Sequence, residues 1–406
     1  MLKNLTLVAA SLVFTLLLGE VALRIAGVEH PEWYIEDPDL AGRLRPGAQG
    51  WFRKEGKAYV RINSSGLRDR EHAKAKPPGV LRVAVLGDSF AEAMQVDQEH
   101  TFWSVLEHRL NACATRKVEV LNFGVSGYGT AQELIMLRRD VWQYDPDIIL
   151  LAFFTGNDVR NNHRELNGNA PAPYYSVRDG RLVLDDSFRS RLGSLKRSGL
   201  TREVREAYGA LRGHSRLLQL ATQVRAGLRQ KRQPERDMAD VEKRAANGYE
   251  AGIDDAVYAP PRDSRWEEAW RTTEALLTAM RDEVRSHGKE LWIVTLSTGI
   301  QVHPDQRLRA EFAQRAGVTD LFYPDRRVAA AAERDGVPVI TLAPMMAEWS
   351  ARTGRALHGF PNSVAGFGHW NEEGNRLAGD LIAHRMCESL ARPMPGSLST
   401  AARPSF

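Results

Sequence analysis

Residues 148–154 read Ile-Ile-Leu-Leu-Ala-Phe-Phe, an apolar run with no polar interruption. Successive side chains of a strand point to opposite faces, so such a run needs cover on both sides, the situation of a strand inside a parallel sheet. Four other short, largely apolar runs also read as strands: Val83–Leu86, Val118–Phe123, Leu291–Leu296 and Val337–Leu342. Helical spacing appears between them, around His100–Cys113, from Thr130, from Ser264 to Ser286, near Arg326–Arg334 and over Asn371–Leu390. Thr130-Ala131-Gln132-Glu133 and Ser264-Arg265-Trp266-Glu267 have capping-box spacing and predict two of the helix starts. Strands alternating with helices predict an α/β fold, a parallel sheet between two helical layers.

The chain has 406 residues and a net charge of +4, which gives no reason to expect a nucleic-acid partner. Met1-Leu2-Lys3-Asn4 leads into the apolar stretch Leu5–Leu18, with Glu20 and Arg24 beyond and no small-x-small cleavage site. Residues 1–28 are therefore read as an uncleaved signal anchor, a cleaved signal peptide or a buried core helix being the other readings. Lys3 on the inner side places the rest outside the cytoplasmic membrane, in a periplasm-like compartment, on a single-pass topology. Cys113 and Cys387 have no histidine partners at metal-ligand spacing and no HExxH occurs, so neither a metal nor another cofactor is expected. They fall near the ends of two helices that would neighbour each other on one face of the sheet. Either they pair, or both stay free thiols.

Residues 29–80 form a lead-in with a strand at Lys57–Ile62 and a turn at Asn63–Gly66. The catalytic domain is expected over 81–391, with an insertion at 160–262 and a disordered tail at 392–406. The insertion opens with a hairpin, Val177–Leu184, on an Asp179-Gly180 turn. It continues as a basic helical stretch: Arg189, Arg191, Lys196, Arg197, Arg202, Arg205, Arg212, Arg216, Arg225, Arg229, Lys231 and Arg232 against Glu203 and Glu206. This stretch is either a solvated cap or a surface for anionic headgroups or an acidic glycan.

Chemistry gathers where the strands end. Gly87-Asp88-Ser89 follows the first core strand, Gly124–Gly129 the second, and Gly156-Asn157-Asp158 the third. Parallel topology brings these turns to one sheet edge, where open α/β sheets bind ligands. His369, in Gly368-His369-Trp370-Asn371, precedes the last helix and emerges at the same edge. Serine, a histidine base, a backbone N–H at glycine and an asparagine amide make a set suited to acyl transfer. Ser126 reads as a turn residue, His303 and His358 as surface histidines, and Trp370 as packing beneath the site. Gly124-x-x-Gly127-x-Gly129 lacks the spacing of a dinucleotide loop.

In order and spacing these blocks resemble the SGNH, or GDSL-type, hydrolases, over about residues 83–390. The lead-in Asn63–Asp69 is similar to that of membrane-anchored bacterial members. The resemblance implies a flavodoxin-like α/β/α sandwich. It makes Ser89 the nucleophile and His369 the base, with Ser89 N–H, Gly127 N–H and Asn157 as the oxyanion hole and Asp88 and Asp158 as supporting residues. One feature departs from it. Family members carry an aspartate two or three residues before the histidine, where this chain has Phe367 and Gly366. A backbone carbonyl near Gly366, a carboxylate from the insertion, or a degenerate site that only binds would account for the gap.

The reading is a membrane-anchored enzyme that hydrolyses or transfers a small acyl group, acetyl foremost, on a cell-envelope polysaccharide, with an envelope acyltransferase as a possible partner. The competing reading is a non-catalytic glycan- or partner-binding protein on the same fold.

Overall fold

The computed structural model describes residues 2–28, 30–192, 211, 213, 215–230 and 238–390. The predicted tail and the basic residues Lys196, Arg197, Arg202, Arg205, Arg212, Lys231 and Arg232 lie outside them. Helix α1, Leu2–Ile25, contains a segment, Thr6–Ile25, long and apolar enough to cross a membrane, a property that signal sequences share. Its apolar side chains are exposed.

The lead-in is folded. Strands β1 (Tyr34–Asp37) and β2 (Ala41–Leu44) pair antiparallel, as do β3 (Gln49–Phe52) and β4 (Ala58–Arg61). Leu40, Leu44, Ala58 and Val60 are buried in the core on one side of the main sheet. The first core strand, β5 (Leu81–Gly87), runs into a single helical turn, α2 (Ser89–Glu92), and then α3 (Phe102–Cys113). Strand β6 (Val118–Asn122), helix α4 (Thr130–Arg139), strand β7 (Ile148–Phe154) and the turn α5 (Asp158–Asn161) follow. The hairpin of β8 (Tyr174–Arg178) and β9 (Arg181–Asp185) turns on Asp179 and Gly180, both at positive φ, as an Asp-Gly turn of this type requires. Helix α6 (Arg216–Gln230) begins against α1, where Glu20 accepts from the Arg216 and Leu217 N–H groups at 3.0 and 3.1 Å. Helix α7 (Ser264–Ser286), strand β10 (Glu290–Leu296), helix α8 (Tyr323–Arg334), strand β11 (Val339–Thr341), helix α9 (Leu342–Thr353) and helix α10 (Glu372–Leu390) complete the fold.

Strands β11-β10-β7-β5-β6 form one parallel sheet in that order. Counted along the chain this is the order 2-1-3-4-5 of doubly wound, flavodoxin-like sheets, whose ligand crevice opens at the switch between the first and third strands. Val83, Val85, Ile148 and Leu150 face α3, α9 and α10, while Ala84, Leu86, Ile149 and Leu151 face α4, α7 and α8. Each of the fully buried valine, leucine and isoleucine side chains contributes about 1.5–3 kcal/mol relative to exposure.

Both helix N-caps sit one residue earlier than the sequence spacing suggested, and only the first keeps a capping box. Gly129 caps α4, with the Gln132 side chain reaching back to its N–H at 3.3 Å, because Glu133 turns inward and is fully buried. Asp263 caps α7 and accepts from the Trp266 N–H at 3.0 Å. Cys113 and Cys387 are joined as a disulfide, their Cα atoms 6.0 Å apart at the ends of α3 and α10. Of the basic stretch, Arg189 is paired with Asp39 at 2.8 Å.

Candidate active site

Ser89 stands at the first position of α2, immediately beyond β5. Asp88 is the N-cap, its Oδ1 accepting from the Phe90 N–H at 2.9 Å. Glycine is required just before it: a Cβ on Gly87 would lie 2.9 Å from the Ala91 Cβ and 3.0 Å from the Ala152 carbonyl of β7. The serine is thus held tightly at the sheet's switch point, half-exposed above a buried base.

His369 reaches it from the loop before α10. That loop is closed on itself: Gly359 N–H donates to the His369 carbonyl at 3.0 Å, and Asn371 N–H to the Leu357 carbonyl at 3.0 Å. His369 Nε2 lies 2.9 Å from Ser89 Oγ. Its Nδ1 lies 2.5 Å from Oε2 of Glu55, whose Oε1 accepts the His369 backbone N–H at 2.9 Å. The orienting group is therefore a carboxylate, and it comes from neither the neighbourhood of Gly366 nor the insertion. It comes from the turn between β3 and β4, 314 residues earlier in the chain.

The position where family members carry aspartate has no room for the role. Phe367 is buried against His303, and Gly366 has φ +83° with His303 Cδ2 and Nε2 2.5 Å from where a Cβ would stand. Gly368 makes space for Glu55, since a Cβ there would lie 2.1 Å from Glu55 Oε1. The turn carrying Glu55 is clamped by Asn362, which accepts from Gly56 N–H at 2.8 Å and donates to the Gly56 carbonyl at 2.9 Å and the Arg53 carbonyl at 3.2 Å.

Burial works against ionised Glu55, but the bond and charge of His369 outweigh it and hold the carboxyl below its ordinary range. Burial likewise lowers His369, and the bond to Glu55 and that carboxylate's charge more than restore it, leaving the imidazole above its ordinary 6.5. A second carboxylate, Glu250 of the insertion, accepts from the Gly368 and Gly299 N–H groups at 2.8 and 2.9 Å, and burial pushes it up to about 7. The amides of Gly368 and His369 are thus each held by a different carboxylate.

His358 is not a surface histidine. It is buried, and burial drives its pKa down to about 4, so it is neutral. Its Nδ1 lies 2.6 Å from the Gly368 carbonyl and its Nε2 3.1 Å from Ser297 Oγ, which also accepts from Trp370 Nε1 at 2.9 Å. Since a carbonyl only accepts, Nδ1 carries the proton, and the chain Trp370–Ser297–His358 braces the loop from behind. Trp370 packs beneath the site as its sequence position suggests. His303 is half-buried, and burial lowers its pKa.

The proposed oxyanion donors lie at the same edge. Asn157 caps α5, and its Nδ2 donates to Asp88 Oδ2 at 3.3 Å. Gly127 adopts φ +80° with open space about its Cα. The glycine loop is tied to α2 by Ser126 Oγ, which donates to Glu92, as does Tyr34 of β1 at 2.8 Å. Asp158 accepts the Phe154 N–H at 2.7 Å. Burial foremost, then the charges of Glu133 and Asp88, push Asp158 up, and burial with the charge of Asp88 pushes up Glu133, which has no hydrogen-bond partner among the described residues. Glu250, Asn362, Ser297, His358 and Glu92 had no local sequence signal of a role, and Glu55 only a faint one.

No family model matches the chain, and no curated protein matches it. Solved structures do. The lipase/acylhydrolase from Enterococcus faecalis is 13% identical, with a TM-score of 0.36, covering 76% of this chain and 96% of that one. An acetylxylan esterase from Geobacillus stearothermophilus is 12% identical, TM-score 0.36, over 79% of this chain and 98% of that one. A putative lipolytic protein of the G-D-S-L family from Desulfitobacterium hafniense is 12% identical, TM-score 0.32, over 75% and 98%. At this level of likeness, activity and substrate rest on the chain's own residues.

Proposed function

We propose that the chain is a serine ester hydrolase of the SGNH/GDSL type, acting on a small acyl ester through Ser89, His369 and Glu55. The observation that carries this is the continuous hydrogen-bonded series from Ser89 Oγ to His369 Nε2 and from Nδ1 to Glu55, at 2.9 and 2.5 Å. In this reading Ser89 Oγ attacks the ester carbonyl carbon while Nε2 takes its proton. The C–O bond to the leaving alcohol then breaks, and that oxygen receives the proton. Water, deprotonated by the same nitrogen, attacks the acyl-serine and releases the acid. Glu55 holds the imidazole with Nε2 toward the serine and offsets the charge that forms on it. Backbone N–H groups of Ser89 and Gly127 and the Asn157 amide are the proposed oxyanion donors, each worth about 10²–10³ in rate. A sugar hydroxyl in place of water would make the same cycle a transfer.

The reading of a degenerate binder rested on a missing carboxylate, and Glu55 stands where it would act. The apolar α1 and the paired cysteines, which form in oxidising compartments, support an anchored protein facing outward from the cytoplasmic membrane. That location supports an envelope polysaccharide bearing acetyl esters as substrate.

The test is covalent. Brief incubation of the full chain with an activated acetyl ester or a phosphonate should leave an adduct on the peptide containing Ser89. An adduct found only elsewhere, or none, would overturn the reading. The pH profile carries a second expectation. Protonated His369 cannot take the serine proton, so activity should fall as pH drops through its raised pKa. The acid limb of kcat/KM should lie above the ordinary histidine value of 6.5. A limb well below that value would remove His369 as the base.

A further inference from the structure

The hairpin that delivers Glu55 also carries four cations outside any ion pair. Arg53, Lys54, Lys57 and Arg61 are exposed, and among the described residues none of them forms an ion pair. Some arginines elsewhere are paired, such as Arg139 with Asp140, Arg281 with Asp335 and Arg327 with Glu274, each at 2.8 Å, while others, Arg116, Arg178 and Arg271 among them, are exposed as singles. What sets the β3–β4 hairpin apart is that four such cations fall within nine residues.

Its architecture holds those cations in place. Trp51 and Tyr59 are register partners across the two strands and therefore share one face. Their rings meet edge to face, centroids 5.5 Å apart. Arg53 and Lys57 lie over the Trp51 ring at 5.4 and 5.2 Å, and Arg61 over Tyr59 at 4.9 Å. The opposite face, with Ala58 and Val60, is spent on the core. Long basic side chains are thereby ordered before any ligand arrives, which lowers the entropy cost of gripping one. Apart from Glu55 in the turn itself, Asp97 and Glu99 line a cleft of about 280 Å³ together with Tyr59, Arg61 and Arg68. Asp97 already accepts the Tyr59 N–H at 3.2 Å.

Position gives this face its meaning. Arg53 and Lys57 are each two residues from Glu55, roughly 7 Å of extended chain. Glu55 touches His369, so a polymer lying on the cations would pass beside the nucleophile. Resting on the ester-hydrolase reading above, we infer that the outward face of the β3–β4 hairpin binds an anionic saccharide chain and feeds its ester to Ser89. Single-stranded nucleic acid would need free ring faces for base stacking, and here the protein's own cations cover them. A lipid surface would call for exposed aliphatic side chains beside the charges, and the hairpin presents none.

The experiment reads the face separately from catalysis. The full chain in neutral detergent is treated with an amine-acetylating reagent, and modification of Lys54 and Lys57 is followed by mass spectrometry. Polygalacturonate should slow both several-fold, with protection lost at high salt, and neutral dextran should not. A variant carrying Arg53→Gln, Lys57→Gln and Arg61→Gln should bind polygalacturonate roughly three- to tenfold more weakly, given the small worth of each exposed charge contact. It should open a small activated acetyl ester at the wild-type rate. No protection by polygalacturonate, or equal protection by dextran, overturns the inference. Protection only when anionic phospholipid is added to the micelles reassigns the face to lipid and overturns it too. Loss of small-ester turnover in the triple variant would mean that the cations only position Glu55, again against the inference. Should the wild type fail to open any ester, the hydrolase reading falls while the footprint still reports on the anionic chain.

Discussion

Replacing Glu55 by glutamine is expected to lower kcat by about 10⁴ while leaving the protein folded, the loss seen when the orienting carboxylate of a serine-protease triad becomes an amide. Glutamine keeps the shape, but its amide cannot offset imidazolium charge, and it can favour the wrong tautomer of His369. The raised pKa of His369 depends on Glu55, so the acid limb of the pH profile should also move downward in the variant. Aspartate should rescue only partly. It falls one methylene short of the 2.5 Å contact with Nδ1. Gly368→Ala should reproduce much of the defect without touching a titrating group, because its Cβ would displace Glu55 Oε1 and its φ of +84° disfavours any other residue. Steady-state rates with an activated acetyl ester, checked against the variants' circular dichroism, decide it. A loss of less than tenfold in Glu55→Gln would leave His369 oriented by something else.

Why Glu55 escaped the sequence is a matter of distance. A carboxylate two residues before a histidine is a local pattern, and a carboxylate 314 residues away is not. What the sequence did offer was faint: Arg53-Lys54-Glu55-Gly56-Lys57, one acid among bases beside a glycine. Reading a hairpin there would have put a carboxylate at a turn, but only tertiary packing, through Asn362 and the tight seat of Gly56 beneath Gln95, says where that turn lands. The sheet was legible because burial on both faces writes itself into consecutive residues, as in Ile148–Phe154. The placement of Ser89 and Asn157 at one sheet edge was legible for a related reason: parallel strands place their own ends side by side. His358 was misread because a lone histidine says nothing about depth. Its two hydrogen bonds, to Ser297 and Gly368, are what make burial of its neutral ring affordable.

Reducing the Cys113–Cys387 disulfide should cost stability and leave the chemistry alone. The bridge spans 274 residues of sequence. In the chain-entropy treatment so long a loop approaches about 5 kcal/mol, and removal of native bridges typically costs 2–5 kcal/mol. It fastens two helices that are already close-packed, since a Cβ on Gly379 of α10 would lie 2.6 Å from the Phe102 carbonyl and 2.7 Å from the Val105 Cβ of α3. At that same end, away from the bridge, Asn375 accepts the Phe102 N–H at 3.0 Å. Cys387 lies fifteen residues beyond the start of α10 at Glu372, about 22 Å along the helix from the His369 loop. Cys113→Ala, Cys387→Ala and the double variant should therefore melt lower by similar amounts, on the order of 10 °C, because either change removes the whole bridge. Initial rates at 25 °C should match the wild type, and only the half-life on heating should shorten. Two alkylatable thiols per non-reduced chain would rule the bridge out. Additive losses from the two single variants would mean that each cysteine contributes by packing in its own helix and not through the bond.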